Sequence, residues 1–187
     1  MSETELERLR AENAALQEQI ADLQARLDAE TRLREVLRAT GACYLETRDV
    51  MTPDPEVARL GDSLRTLLTR FAEGGFRRLP VLDAKDNLVG IVTDRDVRLA
   101  INSPLVLHER WQDEVLLDQV QVDVCMTPDP ITVSPDTPVY EVARVMRTRK
   151  IGGLPVTDDS DRLVGIVTET DLLRAFENIL TAAAEMG

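Results

Sequence analysis

The chain has 187 residues, 43% of them apolar and 30% charged, and a formal net charge of −12. That composition suits one compact domain with an appendage, and the acidic balance repels nucleic acid and anionic membranes, so neither is expected as a partner. No apolar run approaches the roughly 18 residues that span a bilayer, the start Met1-Ser2-Glu3-Thr4-Glu5 lacks the basic and apolar regions of a signal peptide, and a cytoplasmic location is expected.

The first predicted element is a helix running to about residue 38. Apolar residues fall at heptad spacing, with Leu6, Ile20 and Leu27 at a and Leu9, Leu16 and Leu23 at d, while Asn13 takes the remaining a position. Branched Ile at a, Leu at d and one buried Asn favour a two-stranded parallel coiled coil, in which Glu5 at g faces Arg10 at e of the partner. After Leu27 the register breaks, because Glu30 and Arg34 take the next d and a. The competing reading is a single amphipathic helix folded back on its own domain. A basic-region zipper is excluded, since only five residues precede Leu6. Cys43 lies just beyond this helix, where a symmetric dimer brings it towards its mate.

The remainder is a tandem repeat. Met51–Ile101 aligns without a gap on Met126–Phe176 with 18 of 51 positions identical, concentrated in MTPDP, LPV and LVGIVT. Two such short units, neither able to bury a sufficient core alone, are expected to pack against one another as one domain. Each begins with an extended segment and an amphipathic helix, with the stripe Leu64, Leu67, Leu68 and Phe71 matched by Val139, Val142, Ala143 and Met146. Asp62 or Ser63 suits the first N-cap, Thr137 followed by Pro138 reads as N-cap and N1 of the second, and Gly74-Gly75 ends the first. Then come two apolar runs joined by a polar turn, Leu79–Leu82 with Leu88–Val92 and Leu154–Val156 with Leu163–Val167, which read as hairpins. Each hairpin leads into a helix opened at Thr93 or Thr168. The fold class is mixed α/β (α+β), and the divisions are 1–40, 44–120 with an extended linker, and 121–181.

MTPDP, LPV and LVGIVTxxD, twice and in order, resemble a tandem pair of cystathionine-β-synthase (CBS) domains, a Bateman module, over about residues 44 to 181. The resemblance implies a non-enzymatic regulatory module that binds an adenine nucleotide (AMP, ADP or ATP), or a related adenosyl compound such as NAD or S-adenosylmethionine, between the repeats. It further implies a homodimer, through the parallel coil and the CBS faces, that signals to an effector protein.

By itself Thr-x-x-Asp is a helix capping box. The same geometry offers a carboxylate to both hydroxyls of a ribose and places free amides near a phosphate. In the family, the Thr-x-x-Asp of one repeat is completed by the early strand and pre-LPV segment of the other. That pairing puts Thr168 and Asp171 with Met51, Thr52, Glu56, Phe76, Arg77 and Arg78, whose arginines suit a phosphate unless they form a solvated surface pair. It puts Thr93 and Asp96 with Met126, Thr127, Ile131, Ile151 and Gly152-Gly153, leaving Lys150 as the nearest cation. The Asp171 cleft is therefore expected to be the stronger site for a phosphorylated ligand.

Catalysis and metal binding are not expected. His108 is the only histidine, Cys43 and Cys125 have no metal-ligand spacing, and there is neither a Walker loop nor GxGxxG. Around His108, the residues Leu105, Leu107, Trp111, Val115 and Leu116 read as a short helix packed over the repeat interface. The alternative function is a structural scaffold assembled by the coil, with repeats that bind no ligand.

Overall fold

The computed structural model describes residues 3–39, 45–101 and 114–185. Its contacts divide the chain into two units, one of residues 45–176 and one of residues 1–44 with 177–187.

In the second of these units, α1 (Glu3–Ala39) is a single helix of 37 residues. Ala, Leu, Glu, Gln and Arg dominate it, and neither Gly nor Pro interrupts it, so propensity alone favours helix throughout. It continues through the heptad break after Leu27. Leu16, Ile20, Leu23 and Leu27 are exposed along it. The reading of Cys43 lies outside the described residues, as do those of His108, Leu105, Leu107 and Trp111. Val115 and Leu116 fall on a short helix, α5 (Glu114–Gln119).

The unit of residues 45–176 holds both repeats. Repeat 1 supplies α2 (Thr47–Val50), β1 (Thr52–Pro53), β2 (Ala58–Arg59), α3 (Leu64–Gly74), β3 (Arg78–Leu82), β4 (Leu88–Thr93) and α4 (Asp94–Ile101). After α5, repeat 2 supplies a 3-10 turn at Val122–Val124, β5 (Thr127–Pro128), α6 (Val139–Arg149), β6 (Gly153–Thr157), β7 (Leu163–Thr168) and α7 (Glu169–Glu185). The hairpins are those the sequence predicts, with Arg78↔Thr93 and Gly153↔Thr168 closing equivalent antiparallel ladders. Their turns are tied by carboxylates. Asp83 Oδ1 accepts the Lys85 and Asn87 amides, and Asp158 Oδ1 accepts those of Ser160 and Arg162.

Two details of the helices differ from expectation. Helix α6 starts at Val139 with Pro138 as its N-cap. Thr137 does not cap it, because the Thr137 hydroxyl accepts the Ser134 amide in the preceding turn at 3.0 Å. Ala143 is exposed rather than inward, and Val145 packs on the core in its place. Ser63 caps α3 through the Thr66 amide, and Gly75 ends α3 at φ 68°, as the sequence predicts.

The sheets show how the repeats combine. One has the order β2-β3-β4-β5 and the other β1-β7-β6, so each takes its short MTPDP strand from the opposite repeat. Strand β1 pairs with β7 through Thr52↔Ile166 and Pro53↔Gly165, and β5 pairs with β4 through Ile91↔Thr127 and Gly90↔Pro128. Segments upstream of these strands cross as well. The Val139 amide donates to Leu45 O at 3.0 Å, the Thr47 hydroxyl donates to Thr137 O at 2.6 Å, and the Leu64 amide donates to Val120 O at 2.9 Å. Glycines make the close approach possible: a Cβ on Gly165 would lie 2.5 Å from Met51 Sδ, and one on Gly90 would lie 2.6 Å from Met126 Sδ.

Both hydrophobic clusters are consequently composite. One joins Leu64, Leu67, Leu79, Val81, Val92 and Val97 of repeat 1 to Val122 of repeat 2. The other joins Val142, Met146, Leu154, Val156 and Val167 of repeat 2 to Val50 of repeat 1. Burying each such Leu or Val side chain contributes about 1.5–3 kcal/mol, enough to hold the exchanged segments in place. Among the described residues, no helix is long and apolar enough to cross a membrane.

Candidate functional site

Each LVGIVT strand ends at a Thr whose next residue begins a helix. At the first turn, Thr93 donates to Asp96 Oδ2 through its amide at 2.9 Å and its hydroxyl at 2.6 Å. At the second, Thr168 donates to Asp171 Oδ2 at 2.9 and 2.7 Å. The capping box is complete at the first turn, where the Asp96 amide also donates to the Thr93 hydroxyl at 3.2 Å, and at the second only the Asp171 half of it is formed; in both, these bonds fix the carboxylate at the mouth of a cavity.

The first cavity, about 590 Å³, is lined by Thr168, Asp171, Glu169 and Thr170 of repeat 2 and by Thr52, Glu56, Phe76, Arg77 and Arg78 of repeat 1. The second, about 520 Å³, is lined by Thr93, Asp94 and Asp96 of repeat 1 and by Thr127, Ile131, Lys150, Ile151, Gly152 and Gly153 of repeat 2, with Arg77 and Arg78 on its wall as well. Both volumes fall in the range of small-molecule pockets. Of the residues predicted from sequence, Met51 and Met126 alone line neither cavity; they instead pack onto Gly165 and Gly90 behind the strands.

The arginines are the main departure from the sequence reading, which assigned both to the Asp171 cleft. The pre-strand segments of the two repeats face each other, so Arg77 and Arg78 lie on the divide and serve both cavities. Arg78 extends across Gly152-Gly153: a Cβ on Gly153 would stand 2.5 Å from its Nη1 and 2.7 Å from its Cδ, and one on Gly152 would stand 2.6 Å from its Nη2 and 2.9 Å from Glu169 Oε2. The two glycines, which mark the weaker cleft when counted as missing cations, are what make room for the cation from the other repeat. The signal in the sequence was the pairing of large residues in one copy with glycines at the same positions of the other. Burial pulls the Arg78 guanidinium below its ordinary pKa, while Glu169 and Asp94 favour its charge and Arg77 opposes it. A half-desolvated guanidinium with spare donors is a strong attractor for an anion.

The carboxylates also differ, and here sequence reasoning missed a residue. Arg174 Nη2 donates to Asp171 Oδ1 at 2.8 Å and to the Val50 carbonyl at 3.3 Å. The equivalent position in repeat 1 is Leu99. Comparing the copies three residues beyond each Asp would have found it.

Each cavity thus combines a carboxylate, the amino end of a helix, guanidinium donors and apolar walls, a set able to hold a polar ligand with an anionic group and a flat apolar part. The Cys125 thiol hydrogen-bonds to Val122 O, and burial pushes it up to about 11, which keeps this sulfur protonated. No group of three or more His, Cys, Asp or Glu side chains able to hold a metal occurs among the described residues.

The family model described as CBS domain matches residues 48–103 and 120–178, more than half of the chain. A CBS domain-containing protein of Dictyostelium discoideum is 38% identical over 134 residues, 71% of this chain and 92% of that one. Of several further relatives the chain spans less than half the length. Among solved structures, the CBS domain pair of protein MJ0100, in complex with 5′-methylthioadenosine and S-adenosyl-L-methionine, matches with 29% identity and a TM-score of 0.62 over 72% of this chain and 98% of that one. CBSX2 in complex with AMP matches with 30% identity and a TM-score of 0.60 over 72% and 97%.

Proposed function

From the premise that this chain belongs to the CBS-domain family, we propose that it is a regulatory module that takes an adenine nucleotide, or a related adenosyl compound, into the clefts between its repeats and performs no catalysis itself. The observation that carries this reading is the make-up of the two cavities, each of which sets a Thr-x-x-Asp turn of one repeat against the pre-strand segment of the other. In this reading a carboxylate accepts ribose hydroxyls, Arg77 and Arg78 receive the phosphate, and Phe76 in one cleft or Ile131 and Ile151 in the other lie against the adenine. The ligands carried by CBSX2 and the MJ0100 pair support the adenosyl class; AMP, ADP and ATP are the first candidates, NAD and S-adenosylmethionine the next. Two copies associate through α1 and the CBS faces, and a ligand acts by binding one arrangement of the dimer more tightly than another, which an effector protein then reads.

Thermal unfolding in the presence of AMP, ADP, ATP, NAD and S-adenosylmethionine tests this. A ligand at a hundred times its Kd adds about 2.7 kcal/mol of stability, and the gain is expected to disappear in an Asp96→Ala/Asp171→Ala variant. No shift with any of the five would favour the scaffold reading instead. Because Arg77 borders both cavities and Lys150 only one, Arg77→Ala is expected to weaken AMP binding by about tenfold, and more than Lys150→Ala does, in calorimetric titration.

A further inference from the structure

At both Thr-x-x-Asp turns the Thr amide and hydroxyl donate to Oδ2 of the Asp; the first turn adds a bond from the Asp96 amide to the Thr93 hydroxyl, and the turns differ further in what reaches the second carboxylate oxygen. Each carboxylate oxygen offers two in-plane lone pairs, and at both turns the amide and hydroxyl of the Thr occupy those of Oδ2. At Asp171, Oδ1 also accepts from Arg174, whose same Nη2 is held by the Val50 carbonyl on the segment leading into β1. That carboxylate is paired on both oxygens and only 5% exposed. At Asp96 the matching helical position is Leu99, which points outward at 59% exposure, and among the described residues no donor reaches Asp96 Oδ1. A ribose presents two neighbouring hydroxyls and needs two open acceptor positions: both lone pairs of Asp96 Oδ1 are open to them, whereas Arg174 leaves at most one on Asp171 Oδ1.

We propose that Arg174 is a specificity-determining positioning residue: by holding Asp171 to the β1 segment it withdraws that carboxylate from a ribose diol, so that diol recognition rests with Asp96. The clefts then divide by ligand chemistry. The Asp96 cleft selects an unmodified ribose, and the Asp171 cleft accepts nucleotides whose 2′ or 3′ hydroxyl is missing or substituted. This rests on the nucleotide-binding reading above.

The test is calorimetric titration of the full chain with AMP, 2′-deoxy-AMP and 3′-deoxy-AMP, with one cleft filled at a time. Glu56→Trp fills the Asp171 cleft and Ile131→Trp fills the Asp96 cleft, each residue lining only its own cavity. With Glu56→Trp, loss of either hydroxyl is expected to weaken binding about tenfold or more, because a charged acceptor is left unpaired. With Ile131→Trp the loss is expected to stay below about threefold, to rise towards tenfold when Arg174→Leu is added, and to stay low with Arg174→Lys, which keeps the ion pair. Leu99→Arg added to Glu56→Trp is expected to erase the preference at Asp96. Equal preference in the two filled variants, or no change on Arg174→Leu in protein whose circular dichroism is unaltered, would overturn the assignment while leaving nucleotide binding intact. Failure of the wild-type chain to bind AMP at all would overturn both.

Discussion

Adding one methyl group at Gly153 would place a carbon 2.5 Å from Arg78 Nη1. The obstructed atom is the far end of a flexible side chain, so Arg78 can swing aside at little cost in stability. Gly153→Ala is therefore expected to melt within about 2 °C of the wild type, consistent with a side-chain shift costing well under 1 kcal/mol. Its AMP affinity is expected to fall about fivefold through displacement of a phosphate donor, while adenosine, which has no phosphate, binds unchanged. Equal losses for the two ligands in parallel titrations would place Arg78 away from the phosphate. At this scale Thr93, Asp96, Thr168 and Asp171 were legible, because a duplicated capping box in front of a helix identifies itself. The reach of Arg78 and the pairing of Arg174 were not, since each depends on which backbone lies opposite, and that is decided by tertiary packing.

The elements themselves were largely written in local pattern. Paired short apolar runs on either side of the polar turns at Asp83 and Asp158 predicted the hairpins, and their turns are closed by those two carboxylates. Hydrogen bonds from Asn87 and from the Arg162 amide hold these carboxyls below their usual pKa range. Where local signals competed, the reading slipped. Thr137 has the chemistry of an N-cap but commits its hydroxyl to the Ser134 turn, and the buried face of α6, centred on Val142 and Met146, is rotated towards Val145 and away from Ala143. For α1, the heptad pattern carries an expectation of association beyond the helix itself. Leu16, Ile20, Leu23 and Leu27 form an exposed apolar row, and burying such a row between two copies is the purpose for which heptads suit a helix. Light scattering on the full chain is expected to give a dimer, and Leu23→Asp, which sets two charges against each other at a d position, is expected to shift it to monomer at micromolar concentration. A dimer unaffected by that change would assign association to another surface.

At the scale of the molecule, the duplication announced two units that pack against one another, and the family resemblance implied clefts completed across the repeats. What no periodicity reveals is that Val50 and Val122 exchange cores, because a two-residue strand and a single buried valine leave too short a pattern to read. Dividing the chain between the repeats thus does not divide it into domains. Residues 45–120 alone lack β5 and Val122, and are expected to show no cooperative thermal transition. The same residues mixed with 121–185 are expected to regain one, as followed by circular dichroism. A cooperative melt from the first fragment alone would mean that the exchanged segments are accessories rather than parts of the cores.

The exchange also sets a timetable. On the ribosome, β3, β4 and α3 can begin to collapse as they emerge, but their cluster is complete only once Val122 follows. Strand β1, made early, has its partner β7 more than a hundred residues downstream, and contacts of such separation form late. During that interval Val50 and Met51 are apolar groups without a core, so this segment of the first repeat stays open to non-native contacts until repeat 2 has been made.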